Sequence, residues 1–388
     1  MTGPFLPYGR PSIDDDDVAA VATALRDDLL TTGPRVEAFE SRLAERVGAS
    51  EAVVCASGTA ALHLAMLALD LGPGDAAIVP TVTFVATANA VRLTGAEVVF
   101  ADVDAETGLM TADHLDEALA RAGTLRPKAV VPVHLAGQCH HPAGLRARAN
   151  RHGLAIVEDA CHALGTRYGN GVAIGGGRHA DMACFSFHPV KTITMGEGGA
   201  VTLNDAPRAR RLRRLRSHGI DRQSAPKGDP WRRIMTEPGL NYRASDVACA
   251  LGLSQLAKLD RFIARRAALV ARYEAALASS IPLVRPLGRA ASCRPGWHLA
   301  VVLVDFRAAG LDRATVMARL QADGVGTQVH FPPVHEQPYY SERYGALDLP
   351  GARRYHERAL TLPLFPAMTD HDVDRVVAAL GSALGPRP

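Results

Sequence analysis

Between about residues 50 and 205, short apolar runs rich in β-formers alternate with helical stretches. This alternation constrains the fold more than any other feature of the chain. AVVCAS (52–57) precedes TAALHLAMLAL, and AAIVP (76–80) precedes FVATANAVRL. EVVFADV (97–103), AVVPVH (129–134) and LAIVEDA (154–160) follow, the last two separated by the helical AGLRARANRHG. Strands with few polar residues inside them, spaced by helices, predict an α/β fold with a parallel sheet covered on both faces. Ligands of such sheets collect beyond the carboxyl ends of the strands, so functional residues are expected just after these runs.

Past residue 205 the pattern changes. PRARRLRRLRSHGI reads as an Arg-rich helix whose 208–216 run is a solvated face, and DRQSAPKGDPWRRIMTEPG reads as a polar loop. VACALGLSQLAKLDRFIARRAALVARYEAAL reads as one long helical stretch. HLAVVLVDF (298–306) and ATVMARLQADG then suggest a smaller α+β domain ending near Leu384. A chain of 388 residues exceeds what one hydrophobic core usually supports. We therefore expect a large domain over 1–250, with an N-terminal arm, and a small domain over 251–388.

With 47% hydrophobic and 21% charged residues, the chain is an ordinary globular protein. Its net charge of +3 gives no ground for nucleic acid or a membrane surface as a partner. The N-terminus has no basic segment followed by an apolar one, and no run reaches the ~18 apolar residues of a spanning helix. The six cysteines are scattered without a CxxC pair, which favours buried free thiols and a cytoplasmic location. His140 and His141 have no carboxylate or Cys at ligand spacing, so they read as polar loop and no metal is expected.

Several residues after the apolar runs carry chemistry. Lys191 lies in CFSFHPVKTITMGEGGA (184–200), where glycines at 196, 198 and 199 permit positive φ or close approach to a bulky ligand. A lysine there can be desolvated and become the nucleophile a Schiff base requires; otherwise it is a solvated loop lysine. Asp159 ends LAIVED, where a buried carboxylate is costly unless paired or used. It either holds a pyridine nitrogen protonated or caps the next turn; Glu158 faces the opposite way. Ser57-Gly58-Thr59 join a strand to a helix, either as an anion site or as a plain N-cap. Phe84 either covers a planar cofactor or is core.

The set SGTAAL, PTVTFVAT, VEDACHA, FSFHPVKTITMGEGG, RSHGI, GLNYRASDVACALG and HFPPVHEQPYY resembles the DegT/DnrJ/EryC1/StrS family of sugar aminotransferases, from PYGRP at residue 7 to LPLFP at 362–366. The resemblance implies a PLP-dependent transferase fold of type I (aspartate aminotransferase-like). It implies pyridoxal 5'-phosphate (PLP) as cofactor and a homodimer with each active site at the subunit interface. Lys191 takes the place of the Schiff-base lysine and Asp159 that of the pyridine partner, with His162 near the cofactor hydroxyl and Phe84 stacking. Gly58, Thr59 and Ser186 resemble the phosphate cradle, completed by Asn241 of the partner subunit. His330 resembles a sugar-site residue or is a packing histidine, and Arg243 either caps a helix or binds a carboxylate.

Within the family the likeness is to the pseudaminic acid branch. That implies transfer of an amino group from L-glutamate to carbon 4 of a UDP-linked 4-keto-6-deoxy-N-acetylhexosamine, and the GEGG form of residues 196–199 accompanies carbon 4 amination in relatives. Other readings are a GDP- or dTDP-linked keto-sugar as substrate, or a non-catalytic regulatory member. Sugar dehydratases of the family have His where this chain has Lys191, which argues against that reaction.

Overall fold

The computed structural model describes residues 4–139, 141–221, 229 and 231–385. The chain begins with helices α1 (Asp15–Ala24) and α2 (Pro34–Val47). The alternating segment then forms β1 (Glu51–Cys55), α3 (Gly58–Ala68), β2 (Asp75–Pro80), α4 (Val85–Arg92) and β3 (Glu97–Ala101). It continues through α5 (Ala112–Ala120), β4 (Arg126–Val130), α6 (Pro142–Arg151), β5 (Ala155–Asp159) and the short β6 (Arg167–Tyr168). β7 (Met182–Ser186), β8 (Gly199–Leu203) and α7 (Ala206–Leu215) complete it.

Seven of these strands form one sheet in the order β1-β8-β7-β5-β4-β2-β3. β8 pairs antiparallel with both neighbours, β1 and β7, while the remaining pairs are parallel. β8 alone is therefore reversed in an otherwise parallel sheet. The strand interiors are buried, as apolar runs covered on both faces must be. Antiparallel β8 lets the ends of β1 and β7 lie on the same side with only one strand between them.

A two-stranded ribbon, β9 (Ile220–Asp221) with β10 (Ile234–Met235), flanks the polar loop, whose residues 222–228 and 230 lie outside the described residues. The expected long helix is two: α8 (Asp246–Ala257) and α9 (Leu259–Ser280) meet at Lys258, whose ψ of -3 breaks the helical path. Lys258 is held there by ion pairs to Asp14 and Asp17, contacts that periodicity cannot register.

Then follow β11 (Val284–Pro286), β12 (Cys293–Arg294), β13 (Ala300–Val304), α10 (Phe306–Ala309) and α11 (Arg313–Ala322). α12 (Pro338–Tyr344), α13 (Pro350–Arg358), β14 (Ala359–Leu362) and α14 (Asp370–Leu384) end the fold. β11, β13 and β14 make a three-stranded antiparallel sheet. The N-terminal arm docks on this part: Leu6 N–H donates to the Gly324 carbonyl and Gly326 N–H to that of Leu6. Among the described residues no helix is long and apolar enough to cross a membrane.

The Arg run on α7 is not simply a solvated face. Arg213 and Arg216 reach Glu40 on α2 at 3.2 and 2.6 Å, and Arg211 and Arg214 reach Glu237. Glu40 is 7% exposed and also accepts the Val54 N–H at 3.0 Å, satisfying a backbone donor of β1. The partners lie far away in sequence, so the run alone carried no sign of them. Removing this acid strands two half-buried guanidiniums and a strand N–H. Glu40→Ala is expected to cost about 3 kcal/mol in urea unfolding, whereas exposed Arg210→Ala stays within about 0.5 kcal/mol; equal effects would contradict the assignment.

Candidate active site

Three strand ends and one turn build the site. β1 stops at Cys55, and Ser57 caps α3 by accepting the Ala60 N–H on its hydroxyl at 3.1 Å. Gly58 and Thr59 are the first residues of that helix, where N–H groups have no intrahelical partner and the helix dipole favours an anion. Ser186 ends β7 across from them. A Cβ on Gly58 would stand 2.8 Å from Ser186 Cβ and 3.1 Å from Cys161 Sγ, so this position is open only to glycine. Ser57 is the N-cap, and its capping leaves the first N–H groups of the helix, at Gly58 and Thr59, facing the cavity.

β5 ends at Asp159, which is 5% exposed. Its Oδ2 accepts from Thr87 Oγ1 at 2.7 Å and its Oδ1 from the Cys161 N–H at 3.1 Å. Thr87 is in turn hydrogen-bonded to Thr83 at 2.7 Å. Glu158 faces away, as strand alternation requires, and holds the Tyr168 hydroxyl and, at 3.3 Å, His134 Nε2. Lys191 sits in the turn after β7, its N–H bonded to the His188 carbonyl at 2.8 Å.

These residues share one cavity of about 710 Å³, beyond the carboxyl ends of the strands. Its walls include Gly58, Thr59, Phe84, Asp159, His162, Ser186, Lys191 and His330. Loss of water lowers the Lys191 pKa, and the neighbouring Cys161 and Asp159 oppose that shift. His162 and His298 are driven well below the ordinary histidine value, and His330 down to about 3, first by burial and then by neighbouring positive charge. Both effects favour the neutral form of the three imidazoles. His330 Nδ1 is bonded to Thr361 Oγ1 at 2.9 Å, so it both packs and lines the wall. Phe84 is 56% exposed at the rim and is not core.

Two expected residues stand elsewhere in this subunit. Asn241 is exposed and Arg243 borders a separate cleft, where its Nη1 donates to Ser217 Oγ at 3.2 Å. Arg243 does not cap α8: that position is taken by Ser245, whose side chain accepts the Ala248 N–H. The glycines after Lys191 divide between positive φ and close approach. Gly196 takes φ 75 in a turn, and a Cβ on Gly199 would lie 2.2 Å from the Ser57 carbonyl oxygen. The close approach at Gly199 is of one backbone segment to another. His140 lies outside the described residues, and His141 caps α6; among the described residues no His, Cys, Asp and Glu cluster could hold a metal.

Sequence reasoning missed Thr87, Thr83 and His298. The two threonines lie in the quoted PTVTFVAT, one helical turn apart at the start of α4, a placement that could have flagged them. His298 had no local signal: it reaches the cavity from the segment before β13 and packs on His162, ring centres 4.4 Å apart.

A model of the DegT/DnrJ/EryC1/StrS aminotransferase family matches residues 11–381. DesV from S. venezuelae is 33% identical, with a TM-score of 0.87 and 100% of each chain covered. PseC from Helicobacter pylori, an aminotransferase involved in the biosynthesis of pseudoaminic acid, is 28% identical, with a TM-score of 0.89, covering 98% of this chain and 99% of that one. The PLP-form of the putative sugar aminotransferase Spr1654 from Streptococcus pneumoniae is 28% identical, with a TM-score of 0.88 and 98% of each chain covered.

PLP is the cofactor, and the cavity fits it: an orphaned helix N-terminus faces Ser186 across a gap only glycine leaves open, with a desolvated amine and a buried carboxylate in the same space. Filling that gap tests the fit directly. Gly58→Ala should weaken PLP retention on dialysis by about tenfold or more, as a loss of ~1.4 kcal/mol would, in a protein that still folds by circular dichroism. Undiminished retention would place the phosphate elsewhere.

Proposed function

The chain belongs to the DegT/DnrJ/EryC1/StrS aminotransferase family and is a PLP-dependent sugar aminotransferase; from that premise we propose which residues act and which sugar is aminated. Bound in the cavity, PLP supplies an electron-accepting ring and an aldehyde carbon through which an amino group passes from donor to keto-sugar. Lys191 would hold the cofactor covalently through Nζ, and as a free amine the same Nζ would move a proton to and from the reacting carbon. Burial lowers its pKa and so favours the neutral amine that accepts this proton.

Asp159 holds the proton on the pyridine nitrogen, its carboxylate oriented by Thr87 and the Cys161 N–H. Gly58, Thr59 and Ser186 would hold the phosphate, Phe84 would cover the ring from the rim, and His162 would face the ring hydroxyl. His330 borders the sugar. Asn241, exposed and away from its own cavity, completes the phosphate site of the partner in a homodimer. The observation that carries the assignment is the single cavity holding a desolvated Lys191, buried Asp159 and an open helix N-terminus.

For the substrates, we propose L-glutamate as donor and a UDP-linked 4-keto-6-deoxy-N-acetylhexosamine as acceptor. Amination at carbon 4 gives UDP-4-amino-4,6-dideoxy-N-acetyl-β-L-altrosamine for pseudaminic acid. The sequence motifs and the overlap with PseC support this reading. A second reading is a keto-sugar on another nucleotide, such as dTDP or GDP: PseC at 28% identity is one of several family members as similar to this chain, with DesV at 33%.

Three measurements follow. With UDP-2-acetamido-2,6-dideoxy-β-L-arabino-hexos-4-ulose and glutamate, NMR should find the new amine at carbon 4; turnover only with dTDP- or GDP-sugars would select the second reading. Asp159→Asn should retain PLP but lose rate by several kcal/mol, each ~1.4 being a factor of ten; near-wild-type turnover would remove Asp159 from its role. Lys191→Ala and Asn241→Ala should each be inactive alone and regain activity when mixed, since one hybrid site carries neither lesion. No recovery after verified subunit exchange would contradict the shared site.

A further inference from the structure

Cys139 and Cys293, distant in sequence, meet behind the wall of the cofactor cavity. Cys139 follows the tight turn Leu135–Gly137, and Cys293 opens β12. The Cys139 N–H donates to Cys293 Sγ at 3.1 Å, and the Cys139 thiol donates to the neighbouring Ser292 carbonyl at 3.9 Å. With N and Cα ~1.46 Å apart, the Cys293 sulfur lies within about 5 Å of the Cys139 Cα. Adding the Cys293 sulfur's own reach to its Cα brings the two Cα atoms near the about 4.4–6.8 Å that a disulfide spans.

Neighbouring bonds hold the two segments in register. Gln138 Nε2 donates to the Gly288 carbonyl and its Oε1 accepts the Ala290 N–H, both at 2.9 Å. β12 is in turn fixed against β6, with Cys293 opposite Tyr168.

The two sulfurs are not equivalent. Cys139 is buried, whereas Cys293 is partly exposed, so a solvent oxidant meets Cys293 first. The Cys139 side chain and its N–H lower the Cys293 pKa against the effect of burial, while that of Cys139 is raised. The other thiols have no such support: burial pushes Cys55 and Cys249 up to about 12, and Cys161 and Cys184 well above the ordinary thiol value. The thiolate is the reactive form, so Cys293 is favoured for oxidation.

We propose that Cys139 and Cys293 form a reversible disulfide when a two-electron oxidant such as hydrogen peroxide reaches Cys293. The Cys293 thiolate attacks one peroxide oxygen, the O–O bond breaks, and hydroxide leaves as water once protonated, giving a sulfenic acid. The Cys139 sulfur then attacks the Cys293 sulfur, the S–O bond breaks, and a second water leaves with the Cys139 proton. Two thiols and one peroxide yield one disulfide and two waters. The bond ties the 135–139 turn to the segment that leads into His298. Ala136 of that turn already donates its N–H to His162 Nδ1 at 3.4 Å and accepts the His298 N–H at 3.0 Å.

The test treats wild-type holoenzyme with a small excess of hydrogen peroxide, blocks remaining thiols under denaturing conditions, and maps peptides by mass spectrometry without reductant. The expected result is loss of two of the six thiols and a linked Cys139–Cys293 peptide that dithiothreitol cleaves. Cys139→Ser and Cys293→Ser should each abolish the linked peptide while the protein remains folded by circular dichroism. Cys293 appearing only as sulfinic acid, a link through Cys161 instead, or six intact thiols at a peroxide dose that oxidises a control dithiol would each overturn the proposal.

Discussion

Burial sets two opposite charges against each other in one cavity, and the site depends on how that conflict is resolved. Water excluded around Lys191 favours the neutral amine; Asp159, in the same cavity, favours the charged one. The carboxylate would be costly there without partners, and it has two: the Thr87 hydroxyl and the Cys161 N–H. Thr87 is fixed by Thr83, so α4 and β5 together decide where the acid points. Among the described residues no hydrogen bond or ion pair to the Lys191 amine offsets its burial in the same way.

The sheet makes this arrangement possible. β5 and β7 are adjacent and parallel, so their carboxyl ends deliver Asp159 and Ser186 to one edge, and the turn after β7 delivers Lys191. Reversed β8 brings the β1–α3 turn alongside, where Gly199 packs its backbone on the Ser57 carbonyl. The small antiparallel sheet closes the other side, with His298 preceding β13 and His330 tied to Thr361 on β14. Arg266, buried on α9, supports that wall by donating to the His298 and Leu364 carbonyls at 3.1 and 2.9 Å.

Much of this could be read in the sequence because apolar runs and strand ends are local signals. Five strands of the large sheet, and the positions of Asp159, Gly58 and Lys191 just past strand ends, follow from patterning alone. What escaped depends on contacts across the chain. The charge run on α7 hides a long-range pairing with Glu40, and the break at Lys258 follows from ion pairs to the N-terminal helix. Of the glycines at 196, 198 and 199, Gly196 takes the positive φ its type permits, whereas Gly199 admits a second backbone segment, not a ligand. His298 reaches the site from the other sheet, so nothing near it in sequence marked it.

The sequence contains four lysines, which makes the central claim about Lys191 unusually easy to test. Lys128 pairs with Asp75 and Lys258 with Asp14 and Asp17, and Lys227 lies outside the described residues. Borohydride reduction of the yellow holoenzyme should bleach it and fix the cofactor to one lysine, identified by peptide mass spectrometry. The account predicts that the reduced cofactor is on Lys191 alone. Finding it on Lys128, Lys227 or Lys258 would contradict the assignment of the site.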